Sequence, residues 1–164
     1  MRRLISGIVF VCATACSGAT YQSGSRELRP LERVRMLRVV EDALSSQGLT
    51  PQAGRAVRIV GRRDVDCDVT ISNSHDCVEY ANAADRARYG AAIPPHTSPD
   101  ALVVVAGSER DTGGYVLVLD DRDYSYEPDP NRTGPGRPSV GEVEDRARRT
   151  VIDFASWLTQ HRAR

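Results

Sequence analysis

Residues 101–121 read ALVVVAGSERDTGGYVLVLDD, two aliphatic runs rich in valine and leucine on either side of a short polar turn that contains glycine. Each run is short and β-branched, and a Gly-bearing connection of this length joins antiparallel neighbours. The stretch therefore predicts a hairpin with 102–106 facing 115–119. Successive residues, not alternate ones, are apolar, which places both strands centrally in a sheet with helices over at least one side.

Outward from the hairpin the hydrophobic period becomes helical. Residues 30–47 carry Leu31, Val34, Leu37, Val40 and Leu44 at steps of three and four. Pro30 suits a first turn, and Gly48 followed by Leu49 suits a left-handed C-terminal cap. Near the other end Ser139 and Glu142 make an S-x-x-E capping box, and Val143, Ala147, Val151, Phe154, Ala155 and Leu158 share one face. Glu142, Glu144 and Asp145 in the first turns, with Arg162 and Arg164 at the end, match the helix dipole. Trp157 falls beside this seam and reads as a core-edge ring.

Between the first helix and the hairpin lie RAVRIVG at 55–61 and DVDCDVTIS at 64–72. In the second, Val65, Cys67, Val69 and Ile71 alternate with Asp64, Asp66, Asp68 and Thr70, the pattern of a strand with one buried face. The D-x-D-x-D spacing also opens a calcium loop, but the sixth and twelfth positions from Asp64 are Val69 and His75, where Gly and Glu are needed. The Ala-rich segment CVEYANAADRARYG at 77–90 predicts a short helix over 78–89, and the prolines of 91–99 an extended loop. The order of elements predicts an α+β fold, an antiparallel sheet of about four strands covered by the two long N- and C-terminal helices.

The first residues, MRRLISGIVFVCATACSG, set positive charge before an apolar run that ends in small residues. That is the layout of an export signal, and the run is too short to span a bilayer. Ala13, Thr14 and Ala15 before Cys16 resemble the lipobox of bacterial lipoprotein signal peptides, although Ala13 stands where Leu is usual. The resemblance covers the signal region alone. It implies a signal peptide at 1–15, a diacylglyceryl group on the Cys16 sulfur, and, with Ser17 where Asp would retain the protein at the inner membrane, the periplasmic face of an outer membrane. The alternative is an ordinary secretory signal cut nearby. Residues 16–27 have the Ser, Gly and Thr content of a tether, leaving 28–164 as a single α+β domain.

Cys12 leaves with such a signal, and Cys67 and Cys77 remain as an even pair in an exported chain, the pattern of a disulfide. Closing a loop of this size contributes about 2–3 kcal/mol by restricting the unfolded chain. Two cysteines without a second close pair do not make a zinc site.

Removing 15 residues from 164 leaves 149, and with Arg2 and Arg3 gone, 20 basic residues face 22 acids, a balance of −2. Nucleic acid asks for a strongly basic face and is excluded as a partner. The chain contains no Lys, which excludes Schiff-base catalysis, a P-loop lysine and a serine–lysine dyad. Arg26, Arg29, Arg33 and Arg38 decorate the start and outer side of the first helix, near the tether. They read as a solvated face, with anionic head groups as the alternative.

Two features bear on chemistry. Oxygen-bearing residues alternate at Asp121, Asp123, Ser125, Glu127, Asp129 and Asn131, but Tyr126 and Arg132 occupy the sixth and twelfth positions, so the calcium template fails. His96, in PPHTSPD with Ser98 and Asp100 close by, is the best candidate base, in a loop that could hold a nucleophile beside it; His75 and His161 read as solvated. No G-x-S-x-G or H-E-x-x-H pattern is present, and no cofactor is implied. The expected function is a lipid-anchored cell-envelope protein with a non-catalytic binding or accessory role, its partners the membrane and an envelope protein. The alternative is a periplasmic hydrolase or small-ligand-binding module using the His96 loop.

Overall fold

Residues 104–106 and 115–120 pair as the pattern predicts, but only the second strand lies centrally and buried; the first is a partly exposed edge strand, not the central one its apolar run suggested. In the computed structural model, which describes residues 27–59, 64–94, 101–108, 114–132 and 134–162, strand β7 (Val104–Ala106) pairs antiparallel with β8 (Tyr115–Asp120), Val104 opposite Leu117. Six further strands precede them: β1 (Arg29–Pro30), β2 (Pro51–Ala53), β3 (Ala56–Arg58), β4 (Asp64–Asp66), β5 (Val69–Ile71) and β6 (Cys77–Ala81). A short β9 (Ser125–Tyr126) follows and pairs with β1. The helices are α1 (Arg33–Ser46), α2 (Ala83–Tyr89) and α3 (Val140–Arg162).

The α+β class holds, but the sheet is not an antiparallel one of four strands. It has five, in the order β2-β5-β6-β8-β7, and β6 runs parallel to β8. The difference comes from residues 78–81, expected as helix, which with Cys77 form β6, buried along its whole length. A strand covered on both faces shows no alternation, so its run resembled a short helix. The helix expected over 78–89 is confined to α2, capped by Asn82 and Asp85.

The two runs at 55–61 and 64–72 pair antiparallel, and the second, expected as one strand, is divided into β4 and β5. Pro51 pairs with Ile71 and Arg58 with Asp64, so β2–β3 and β4–β5 keep one register across a crease at 54–55 and 67–68. Gly54 is required there, because a Cβ would lie 1.8 Å from the Cys67 carbonyl oxygen. At the far end Ile59 bridges to Gly107, and the sheet curls back on its own edge. Such closure leaves less exposed edge to aggregate.

One face of the sheet is covered by α1 and α3. The buried stripe of α3 consists of the six residues its periodicity predicts, Val143, Ala147, Val151, Phe154, Ala155 and Leu158. For α1 the stripe is rotated to Met36, Val39, Val40, Ala43 and Leu44, and Val34 is 65% exposed. The helix starts three residues later than expected because Pro30 belongs to β1 and the Leu31 amide donates to the Tyr124 carbonyl at 2.8 Å. Its end is as read: Gly48 has φ +73°, and Leu49 N–H bonds the Leu44 carbonyl at 3.1 Å. The curled face encloses a second, smaller core with Val57, Ile59, Val65, Tyr89, Ile93, Val116 and Val118 among its residues. Cys67 and Cys77 are joined in a disulfide that staples the crease to the start of β6. Among the described residues no helix is long and apolar enough to cross a membrane.

Candidate functional site

Strand period places an acid in the smaller core. Along β6, Val78 and Tyr80 point to the helices, while Cys77 and Ala81 face the curled side. Glu79 shares the parity of Cys77 and Ala81. It is 1% exposed, and neither carboxylate oxygen has a hydrogen-bond partner. An unpaired buried carboxylate of this kind is costly unless it takes a proton.

Three polar side chains surround it, each fixed by a separate element. Asp68 sits at the crease, where its amide donates to the Val78 carbonyl at 2.9 Å and its Oδ2 accepts from the Tyr80 amide at 2.8 Å. Asp85 comes from the first turn of α2. Its Oδ2 accepts from the Asn82 amide at 3.0 Å, while Asn82 Oδ1 accepts from the Ala84 and Asp85 amides at 2.7 and 3.1 Å. Arg33, the first residue of α1, closes the group from outside. It donates to Asp68, to Asp85 Oδ2 at 2.6 Å and to the Tyr80 carbonyl at 2.8 Å. The side chains of Asp68 and Asp85 are 10% and 18% exposed and that of Arg33 38%, so the guanidinium forms the outer wall.

The electrostatics follow from this arrangement. Burial, then the charges of Asp68 and Asp85, push the Glu79 carboxyl up to about 9; Arg33 pulls it down without offsetting them. A proton on Glu79 supplies the donor that two ionised carboxylates lack, and the interaction with Asp68 favours this acid form. Burial opposes the charge on Arg33, but Asp68, Asp85 and Glu79 outweigh it and raise its pKa further. Burial likewise pushes up the hydroxyl of Tyr89, whose oxygen accepts from the Asp66 amide at 3.1 Å.

Other acids are tied to arginines elsewhere. Arg86 reaches Asp120 at 2.8 Å and Asp121 at 2.7 Å, and Arg122 reaches Asp120 at 2.7 Å. Burial would raise the Asp120 carboxyl, but the bonds from Arg122 and the charge of Arg86 hold it below the usual carboxylate range. Arg137 reaches the buried Glu127 at 2.7 Å, and Arg162 bonds the fully buried Asp76, whose Oδ1 accepts from the Tyr115 amide at 2.9 Å. The alternating oxygens of 121–131 are thus dispersed. Asp121 turns to Arg86, Ser125 to the Asp121 carbonyl, Glu127 to Arg137, and Asp129 to the Asn131 amide. Among the described residues no group of three or more His, Cys, Asp or Glu has the arrangement of a metal site.

The histidines do not gather. Arg55 donates to His75 Nδ1 at 2.9 Å, and the His161 ring stacks on Trp157 at 3.8 Å. Trp157 also meets Tyr115 edge-on at 4.8 Å, at the margin of the main core as its position predicts. His96, Ser98, Asp100, Cys12 and Cys16 lie outside the described residues. The residues that come together, Arg33, Asp68, Glu79 and Asp85, were not joined by the sequence reading, and Arg33 turns inward where that reading set it on a solvated face. The one signal was a Glu inside an apolar strand-like run, CVEYA.

Compared with protein-family models, with curated proteins and with solved structures, the chain finds no match.

Proposed function

We propose that this chain is a lipid-anchored cell-envelope protein that acts by binding, as an accessory subunit on the periplasmic face of the outer membrane. Residues 1–15 serve as the export signal, Cys16 is the acylated anchor, and the tether carries the domain away from the bilayer. The observation that carries this reading is the Cys67–Cys77 disulfide, since such bonds persist in oxidising compartments and the N-terminal layout leads to one. The fate of the acids supports a binding role over a chemical one. Asp68, Asp85, Asp120, Asp121 and Glu127 are all engaged by arginines of the same chain, which spends them on holding the fold.

The same pairing bears on which of two surfaces, the first helix or the acidic 120–129 segment, meets a partner. Much of the acidic 120–129 segment is occupied internally, whereas the outer side of α1 presents Val34, an exposed large apolar side chain, one turn from Arg38. A partner with an apolar contact and an acid fits there. Metabolic labelling with a fatty-acid probe in fractionated membranes tests the anchor: the wild type takes label and Cys16→Ala does not. Label missing from the wild type removes the membrane half of the reading. A photo-cross-linker at position 34 then recovers one defined envelope protein, and a ladder of unrelated products contradicts an accessory role at this surface.

A further inference from the structure

Glu79 faces Arg33 from α1, Asp68 from the crease, and Asp85 and Tyr89 from α2. Its partner across the ladder on β8 is Val118, which offers neither charge nor hydrogen bond. Three carboxyl groups therefore share one guanidinium, and the most deeply buried of the three is the one with no hydrogen-bond partner. With Glu79 neutral, the two aspartates and Arg33 leave one net negative charge, spread over groups that are each hydrogen-bonded. With Glu79 ionised, a second net charge appears where no donor can reach it.

The seat of α2 is built on this group. Asp85 holds the first turn to Arg33, and Tyr89 closes the last turn over the smaller core. Arg86, on another side of the helix, holds Asp120, Asp121 and the Ala81 carbonyl, the last at 3.1 Å. Repulsion between Glu79 and Asp85 would act on the first attachment and leave the Arg86 attachment as a hinge.

We propose that Glu79 is a proton-operated latch for α2: while it holds its proton α2 stays seated, and when the proton passes to solvent α2 is levered from β6 about the Arg86 contacts. The released proton leaves past the half-exposed Arg33, and no bond other than Glu79 O–H is broken. The latch does not depend on where the chain is anchored, so its test is separate from that of the anchor.

Amide hydrogen exchange of the mature chain, followed as protection factors across pH 9, reads the latch directly. In the wild type, protection of the α2 amides falls by up to about tenfold per pH unit between 4.5 and about 9 and levels off above that, while α3 stays protected. In Glu79→Gln, which keeps the shape and cannot ionise, α2 stays protected throughout. Protection of α2 that persists in the wild type, or is lost equally in Glu79→Gln, overturns the proposal. Should Glu79→Gln fail to fold, carbon-13 NMR of the wild-type Glu79 carboxyl decides: a midpoint near 9, where the decline of α2 protection ends, supports the latch, and titration at the ordinary glutamate value of 4.5 overturns it.

Discussion

Val78 and Tyr80 on one side of β6 pack beneath α1 and α3 among Met36, Leu44, Leu117 and Phe154; Cys77, Glu79 and Ala81, one residue out of phase, face the curled half of the sheet. The first side is filled by large aliphatic and aromatic side chains whose burial needs no particular partner. The second is a smaller cluster of valines, alanines, Ile59, Ile93 and Tyr89, closed by a disulfide and walled by Arg33 bound to Asp68 and Asp85. One strand thus carries two kinds of cohesion. Apolar area secures the helical side, while covalent and charged contacts secure the curled side and leave room for an acid that dry packing alone would reject.

Substitutions should separate the two sides, the largest effect first. Phe154→Ala empties the centre of the helical side and is expected to cost about 3–5 kcal/mol in urea unfolding. A cost below about 1 kcal/mol would mean the helices do not seal that face. Replacing both Cys67 and Cys77 by Ala is expected to cost about 2–3 kcal/mol and to raise hydrogen exchange in β3, β4 and α2 while α1 and α3 keep their protection. Equal loosening of both sides would contradict the division. Ser139→Ala removes the N-cap of α3, whose Oγ accepts from the Glu142 amide at 3.3 Å, and is expected to cost about 1 kcal/mol on the helical side. Gly48→Ala, at φ +73°, forces a Cβ into the left-handed region, and a loss of about 1 kcal/mol is expected with no clash to add to it. A gain in thermal stability would show that the cap of α1 relaxes freely.

The helical side was legible in the sequence because helical periodicity and capping are local. All six buried residues of α3 and its Ser139–Glu142 box could be read directly, as could the Gly48 cap and the 102–119 hairpin. The start of α1 was misplaced because Pro30 suits a helix start as well as a strand, and only pairing with Ser125 decides between them; its stripe was read in part, Val40 and Leu44 being buried as expected and Val34 exposed. The curled side was largely illegible. The pairing of Cys67 with Cys77 followed from count and compartment, yet β6 was hidden by being covered on both faces. The Arg33, Asp68, Glu79 and Asp85 group joins residues up to 52 positions apart, and no local rule says that an arginine at the head of a helix reaches across to two distant acids.

The most direct test of a neutral acid sealed beneath Arg33 is the pH dependence of unfolding free energy in wild type and Glu79→Gln. Below pH 4.5 Glu79 carries its proton folded or unfolded; between 4.5 and about 9 only the unfolded chain releases it, so wild-type stability falls as pH rises; above that both states are ionised and the loss is complete. Glu79→Gln removes this dependence, and at neutral pH the variant is expected to be more stable than the wild type by about 1–3 kcal/mol, with the difference shrinking toward pH 4.5. Parallel curves for the two proteins, or a variant less stable at every pH, would show that Glu79 is ionised and satisfied in the fold, and the account of the curled side would fail.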